Sequence, residues 1–576
     1  MKQIHSILYI LMAAATLTLA GCSRDKFAQL NTSPDAVTTI PPENELATGQ
    51  LNMFNNSFEA FYDLYMYMRP WTQLWVYAGG PSATSFTMPV STQNYRYSQF
   101  YTSVGPPLQD VQHLISLMAP AKKATYVYLN AIAGINMAEY AFYTSDPNGA
   151  MPYTNAFEAR DSGNLTPVWD TQEALFDTLD SQLQSYVTTL ETQQTVAQNT
   201  GGANDLIYQG NTTNWIKAAN SLRLRIAMRL MKQNPAKLTA VANEVLSDAT
   251  GLIDNTSDEW VFHTGPSFFG SGTGGNWAPI ANAGPPCMER NVVSFLVKTQ
   301  DPRIRAILLP AAINSQAMFD SAKAQTNGLI PASAQWDGQV YRGQYASPDS
   351  AKDPNKAYYF QTLNFSFNGV QQSVNYPSII QSYILDGQYS TTGATGSGTN
   401  VFSVITYADV CFMRAELVLR GLSNDPLTAQ QLYTMGVTAS LQDYDSWAQI
   451  GQTPNYTPLA ASEITNYLSQ PGIAYQSSTA LEQVLVQEYL NVYMNPNEAW
   501  ALIKRTGYPS STGVILPLEN LTLGGNPLVM PRRYVVTYPQ QGDLNYTNDV
   551  NAINAELQLP GFGTINDITG KVWWDQ

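Results

Sequence analysis

Apolar residues recur three and four positions apart along much of this chain, the pattern of helices that bury one face. Over 213–232, Trp215, Ala219, Leu222, Ile226 and Leu230 form one stripe, with Arg223, Arg225, Arg229 and Lys232 off it or at its edge. Over 404–421, Val404, Ala408, Cys411, Ala415 and Val418 repeat the pattern, and over 481–493 Leu481, Val484, Leu485 and Val492 do so with Glu488 intruding. The segments 45–66, 122–142, 171–196, 236–249, 427–447 and 497–505 also read as helices. Between about 255 and 400 the stripes fade, and Gly, Pro, Ser, Asn and aromatic residues take over. Gly265–Trp277 and Gly387–Gly398 read as loops, and long loops on a rigid scaffold are common binding elements.

These patterns predict an all-α (mostly α) protein. Its helical scaffold covers about 44–254 and 401–510, a variable loop-rich region covers 255–400, and an irregular tail covers 511–576. Several helices adjoin across short turns such as Asn234-Pro235 and Asn495-Pro496. Helix pairs of this size resemble tetratricopeptide-like units that stack into a scaffold. No clean 34-residue period is present, so an α-rich globule without repeats is the plainer alternative.

The first residues carry an address. Lys2 precedes the apolar run Ile7–Ala15, and Leu19-Ala20-Gly21-Cys22 follows. A basic start, a short apolar run and small residues before a cut describe an export signal rather than a membrane-spanning helix. The ending looks like a bacterial lipobox, which makes 1–21 the signal and Cys22 the lipidated first residue, anchored by several acyl chains. Residues 22–43, with Ser33-Pro34 and Pro41-Pro42, read as a tether. Only Asp25 answers to the acidic run that some surface-exported lipoproteins carry after the cysteine.

Charge narrows the function. With 29 Lys+Arg against 44 Asp+Glu the net charge is −15, which argues against nucleic-acid binding. Charged residues make up 13%, well below the usual quarter, and Asn, Gln, Ser, Thr and Tyr take their place. Such a surface suits neutral polar ligands. Three His and three Cys leave no Cys-rich zinc site or disulfide scaffold, although Cys287 and Cys411 could pair in an oxidising compartment.

Enzyme motifs fail in turn. Gly270, Gly272 and Gly275 satisfy GxGxxG, but Asn276-Trp277-Ala278-Pro279 follows where a dinucleotide site needs a helix. Gly570-Lys571 lacks the rest of a phosphate-binding loop, and neither HExxH nor GxSxG occurs. A glycosidase is hardest to exclude, because it needs only two suitably spaced carboxylates. No cofactor and no metal site is expected.

Six stretches, taken in order, carry a resemblance. They are Leu30-Asn-Thr-Ser-Pro-Asp35; Met151-Pro-Tyr-Thr-Asn-Ala156 with Thr166-Pro-Val-Trp-Asp170; Trp215-Ile-Lys-Ala-Ala-Asn-Ser-Leu-Arg-Leu-Arg225; Tyr407-Ala-Asp-Val410 with Arg414-Ala-Glu416; Asn497-Glu-Ala-Trp500 with Lys504-Arg-Thr-Gly-Tyr-Pro509; and Pro531-Arg-Arg-Tyr534 with Tyr538-Pro539. Each is short, but the ordered set resembles the SusD/RagB family of nutrient-binding outer-membrane lipoproteins. Lys504 departs from the arginine common there, and Glu488 stands where a basic residue is frequent. The resemblance implies a tetratricopeptide-like scaffold, no catalysis, an oligosaccharide or peptide ligand, and a lid-like place over a SusC-like TonB-dependent transporter at the cell outer membrane. Arg505, Arg532 and Arg533 read as partners for carboxylates such as Glu498.

The ligand residues must be sought in the chemistry. Sugar rings pack their C–H faces on aromatic planes, and their hydroxyls need amide, carboxylate or guanidinium partners. Aromatics in polar or glycine-rich surroundings therefore form the candidate ligand set: Trp75, Tyr77, Tyr95, Trp277, Trp336 and Tyr341. Core packing weighs most heavily against Trp71 and Trp75. A peptide would use similar aromatics, so this set does not separate the two ligand classes.

Overall fold

A computed structural model describes residues 40–55, 59–77, 94–160, 162–264, 286–386 and 399–576, with Gly79 and Phe86. The periodic segments form helices close to where the pattern puts them: α1 Pro42–Asn52, α2 Gly105–Ser116, α3 Val127–Asn148, α4 Gln172–Glu191, α5 Thr212–Arg229 and α6 Pro235–Ser247 in the first half. In the second half lie α7 Tyr407–Arg420, α8 Ala429–Ile450, α9 Ala480–Asn491 and α10 Pro496–Thr506. Their starts are set by local chemistry. Thr171, Asn211, Asn234 and Asn495 each accept a backbone N–H of the first turn, and Thr406 and Thr428 form reciprocal caps with Asp409 and Gln431. Gly507, at φ 78°, closes α10 in a conformation that costs other residues more.

Consecutive helices pack as neighbours: α3 on α4, α4 on α5, α5 on α6, and α7 on both α8 and α9. This is the tetratricopeptide-like arrangement. The closest approach between α7 and α8 depends on Gly436, where a Cβ would lie 2.7 Å from the Phe412 ring.

Three segments depart from the sequence reading. The stretch 45–66 is not one helix: α1 ends at Asn52, and a wide π-type helix runs Glu59–Met68. Val404 belongs to a strand, Val401–Ile405, which pairs antiparallel with the strand Trp260–His263. The region 511–576, expected to be irregular, contains the helix Tyr546–Glu556. Polar side chains anchor it: Asp549 accepts the Trp169 indole N–H at 2.7 Å and Asn548 donates to Thr166 O at 2.9 Å, so its apolar period is weak. The loop-rich region also carries the helices Arg290–Lys298 and Gln316–Gln325 and the hairpin Leu363–Phe367/Val370–Val374. Cys287 and Cys411 are buried free thiols, not a disulfide. No described helix is long and apolar enough to cross a membrane.

The two main cores are joined by buried ion pairs. On α5, Arg229 pairs with Asp146 of α3 at 3.0 Å and with Glu498 of α10 at 2.7 Å. One turn earlier, Arg225 pairs with Asp409 of α7 at 2.8 Å, and Asn491 of α9 donates to the other Asp409 oxygen at 2.6 Å. Arg505 pairs with Glu416 at 2.6 Å, and Arg532 pairs with Asp575. The expected link of these C-terminal arginines to Glu498 is therefore not made, because α5 supplies closer guanidinium groups. Arg533 donates instead to backbone carbonyls, among them Tyr534 O at 2.8 Å.

Two predictions follow from this burial. Arg229→Met leaves Asp146 and Glu498 buried without their cation, and we expect a loss of about 3–5 kcal/mol, measured by urea unfolding. Burial also raises Asp63 to about 7 and Glu139 to about 8, the latter against the lowering field of Arg225. A carboxyl whose folded pKa is raised contributes stability at low pH that is lost as pH climbs through the folded value. Glu498 is opposite: although burial raises it, Arg229 and Arg225 hold it at about 2, so its contribution disappears only in strong acid. The melting temperature should therefore fall between about pH 5 and pH 8. Glu139→Gln should flatten that slope; an unchanged slope would contradict the assignment.

Candidate functional site

The aromatic density of Phe61-Tyr-Asp-Leu-Tyr-Met-Tyr67 is spread over the two sides of the π-type helix. Glu59, Asp63 and Tyr67, four residues apart, are buried, while Phe61, Tyr62, Leu64 and Met66 are half-buried. The buried side is polar. Asp63 accepts the backbone N–H groups of Asn94 (2.8 Å) and Arg96 (3.3 Å), and Glu59 accepts the hydroxyls of Tyr140 (3.3 Å) and Tyr143. Arg96, fully buried, donates to Asn497 Oδ1 at 2.7 Å and lies over the Tyr143 ring. These bonds fix the short helix Tyr95–Gln99 against the π-type helix.

The outer side is a ledge of rings. Tyr62 and Tyr95 stack at 5.4 Å with 19° between planes, and Phe61 meets Tyr62 edge-on at 4.9 Å. Phe61 also contacts Tyr65, which in turn meets Tyr77 at 5.5 Å and Trp75 at 5.7 Å. Phe61, Tyr62, Tyr77 and Tyr95 are each half-buried, so part of each side chain reaches solvent. Ends of the long loops emerge nearby: Val76 pairs with Cys287 through hydrogen bonds of 2.7 and 2.8 Å, and Thr264 N–H donates to Asn400 O at 2.9 Å.

The structure thus brings Tyr77 and Tyr95 onto one aromatic surface and places Trp75 beneath it. Trp75 is 1% exposed, with the Arg69 guanidinium 3.5 Å from its ring centroid, so it packs in the core and offers no face to a ligand. Trp71 is likewise buried, against Phe86. Trp336 is half-buried on a separate small core that includes Phe319 and Tyr358, and Tyr341 is half-buried on the same core as Tyr65 and Trp75. No ring contact among the described residues joins either to the ledge. Trp277 lies outside the described residues, as does Cys22. Phe61, Tyr62 and Tyr65 were missed because they read as the end of an ordinary helix; the signal was four aromatics within seven residues.

Behind the ledge a cavity of about 100 Å³ is lined by Glu59, Glu139, Tyr140, Tyr143, Phe402 and Asn495, among others. It is smaller than the roughly 300–1,000 Å³ of ligand pockets and has room for a few waters. A ligand of that size does not fit inside this cavity, which leaves the ring surface in front of it. Among the described residues no group of His, Cys, Asp and Glu is arranged to hold a metal ion.

Three of the motif stretches make architectural contacts, while Leu30–Asp35 lies outside the described residues. Asp170 accepts the N–H groups of Tyr153 (2.9 Å) and Thr154 (2.8 Å), tying the second stretch to itself, and Trp500 donates to Pro531 O at 3.0 Å, tying the last two together. The described residues thus form a stacked-helix scaffold that carries a partly exposed cluster of aromatic rings. Residues 34–539 match the SusD-like family model described as "Starch-binding associating with outer membrane", and the chain belongs to that family. No curated protein matches it. Among solved structures, it is similar to a chitin-binding protein (TM-score 0.68, 21% identity, covering 93% of this chain and 99% of the other). It is similar also to a Bacteroidetes SusD-like protein (TM-score 0.66, 18% identity, 93% and 100% covered). A third is a chitin-binding SusD homolog from Flavobacterium johnsoniae (TM-score 0.62, 19% identity, 93% and 98% covered).

Core and ledge rings should separate on mutation. Trp75→Ala should cost about 3–5 kcal/mol of stability. Tyr95→Ala, which removes one partly exposed stacking partner, should cost about 1 kcal/mol. Denaturant unfolding of the two variants checks this; equal losses would mean that the ledge is part of the core.

Proposed function

We propose that this protein is a non-catalytic lipoprotein of the outer membrane, anchored through Cys22 and facing the exterior. In this reading it captures oligosaccharides and hands them to a SusC-like TonB-dependent transporter. The observation that carries the reading is the family match across 34–539. The partly exposed ring surface of Tyr62, Tyr95, Phe61 and Tyr77 supports it, because stacked rings suit the apolar faces of sugars. The sparsely charged, acidic composition favours neutral ligands. The chitin-binding relatives make N-acetylated oligosaccharides the first to try. Trp277 and Trp336, from the loop-rich region, are proposed to add to the same task, and Tyr341 likewise.

Titration of the mature chain from Ser23 with oligosaccharides and peptides, read by intrinsic fluorescence with product analysis on the same samples, tests this. We expect saturable sugar binding without cleavage. Tyr62→Ala, Trp277→Ala and Trp336→Ala should each weaken it by about threefold or more, the worth of one aromatic contact. Binding confined to peptides would replace sugar with peptide as the ligand, and sugar cleavage would make the protein a glycoside hydrolase.

A further inference from the structure

A second cavity, of about 340 Å³, lies at a different place in the fold: between the start of α4, the helix Tyr546–Glu556 (α11 here) and the last turn, Trp573–Asp575. Its volume falls at the lower end of the range for small-ligand sites, room for one or two sugar rings. Two of its walls are tryptophans, Trp169 and Trp573. Both are half-buried and line the cavity. Both are also held in place. Trp169 donates its indole N–H to Asp549 Oδ1 at 2.7 Å and lies 6.4 Å from the Tyr97 ring, and Trp573 meets Phe176 edge-on at 6.3 Å. Rings fixed in advance lose little freedom when a ligand docks on them.

Several polar groups of this groove, Gln172 and Asn548 among them, are spent on the fold, but three are not. Glu173 and Asn551 are exposed lining residues whose side chains make no hydrogen bond among the described residues, and neither does the Trp573 indole N–H. Glu556 gives one oxygen to Ala150 N–H at 2.6 Å, and burial raises its carboxyl to about 7, so near neutrality it can donate as well as accept. Among the described residues no cationic side chain lines the groove, which disfavours phosphates and carboxylates.

We propose that this groove is a second carbohydrate site, in which Trp169 and Trp573 take the faces of one or two neutral sugar rings and Glu173, Asn551 and Glu556 take their hydroxyls. It shares its ligand class with the proposed function but no residue with the ledge. Two weak sites on one chain would raise retention of a long glycan that spans both, without tighter binding at either.

The test uses the full chain in detergent, labelled with 5-fluorotryptophan, with the Trp573 resonance assigned from Trp573→Phe. Chito-, malto- and cello-oligosaccharides of two to six sugars are titrated, with tetramethylammonium chloride as a cationic control. We expect the Trp573 resonance to shift saturably with at least one sugar and not with the cation. The shift should persist in Tyr95→Ala, which impairs only the ledge. It should be lost, or the affinity weakened at least about tenfold, in Ala555→Trp, which fills the groove from an exposed helix position without removing a buried contact. A Trp573 resonance unmoved by every sugar, moved by the cation instead, or equally moved in Ala555→Trp would overturn the proposal. Loss of ledge binding in Tyr95→Ala alongside a retained Trp573 shift keeps the two sites distinguishable.

Discussion

The structure depends on two buried guanidinium groups and the carboxylates that meet them. Arg225 and Arg229 stand one turn apart on α5, both nearly buried; their carboxylate partners come from three other helices, and Asn491 of a fourth donates to Asp409. Asp146, one of those partners, also accepts from Asn497 at 3.0 Å, and its backbone carbonyl accepts the Trp574 indole N–H at 2.9 Å. Residues from the early, middle and final parts of the chain thus meet around one cation. Buried charges are worth little over an apolar filling, but removing one partner strands the others. The network therefore fixes which packing is allowed more than it adds to stability, and it leaves the two apolar cores in one relative position.

That rigidity matters for binding. The ledge rings ride on a helix whose inner side is held by Glu59, Asp63 and Arg96, and Arg96 reaches Asn497 beside the Arg229 network. A sugar-binding surface gains from rings that are already in place, since each immobilised side chain otherwise subtracts from affinity. The scaffold supplies this on both surfaces considered, the ledge and the groove at Trp169 and Trp573. In each, a ring is oriented from below by a hydrogen bond or an edge contact and left partly exposed.

Much of the fold was legible because its determinants are local. The stripe through Trp215, Ala219, Leu222, Ile226 and Leu230 marks α5, and Asn211 and Asn234 cap helices where the sequence has a polar residue before an apolar run. The candidate site was less legible. Trp75 and Tyr77 are two residues apart with the same kind of neighbours, yet one is sealed under Arg69 and the other is only half-buried. Nothing in local composition tells them apart, because exposure depends on what distant segments cover. The groove was hidden for the same reason: Trp169 and Trp573 are some four hundred residues apart and line one cavity only after folding.

The sequence by itself determined the helical class, the order of the helix pairs, the absence of recognisable catalytic motifs and the family. These follow from periodicity and short-range motifs, which act within a turn or two of chain. Tertiary structure decided which carboxylate each arginine meets, which aromatics show a face, and where cavities remain. Glu498 illustrates the division. Its place in a helix start was written in Asn495-Pro496-Asn497-Glu498, but its partners, Arg229 and Arg225, were fixed by the tertiary position of α5, which brings them together across more than 260 residues.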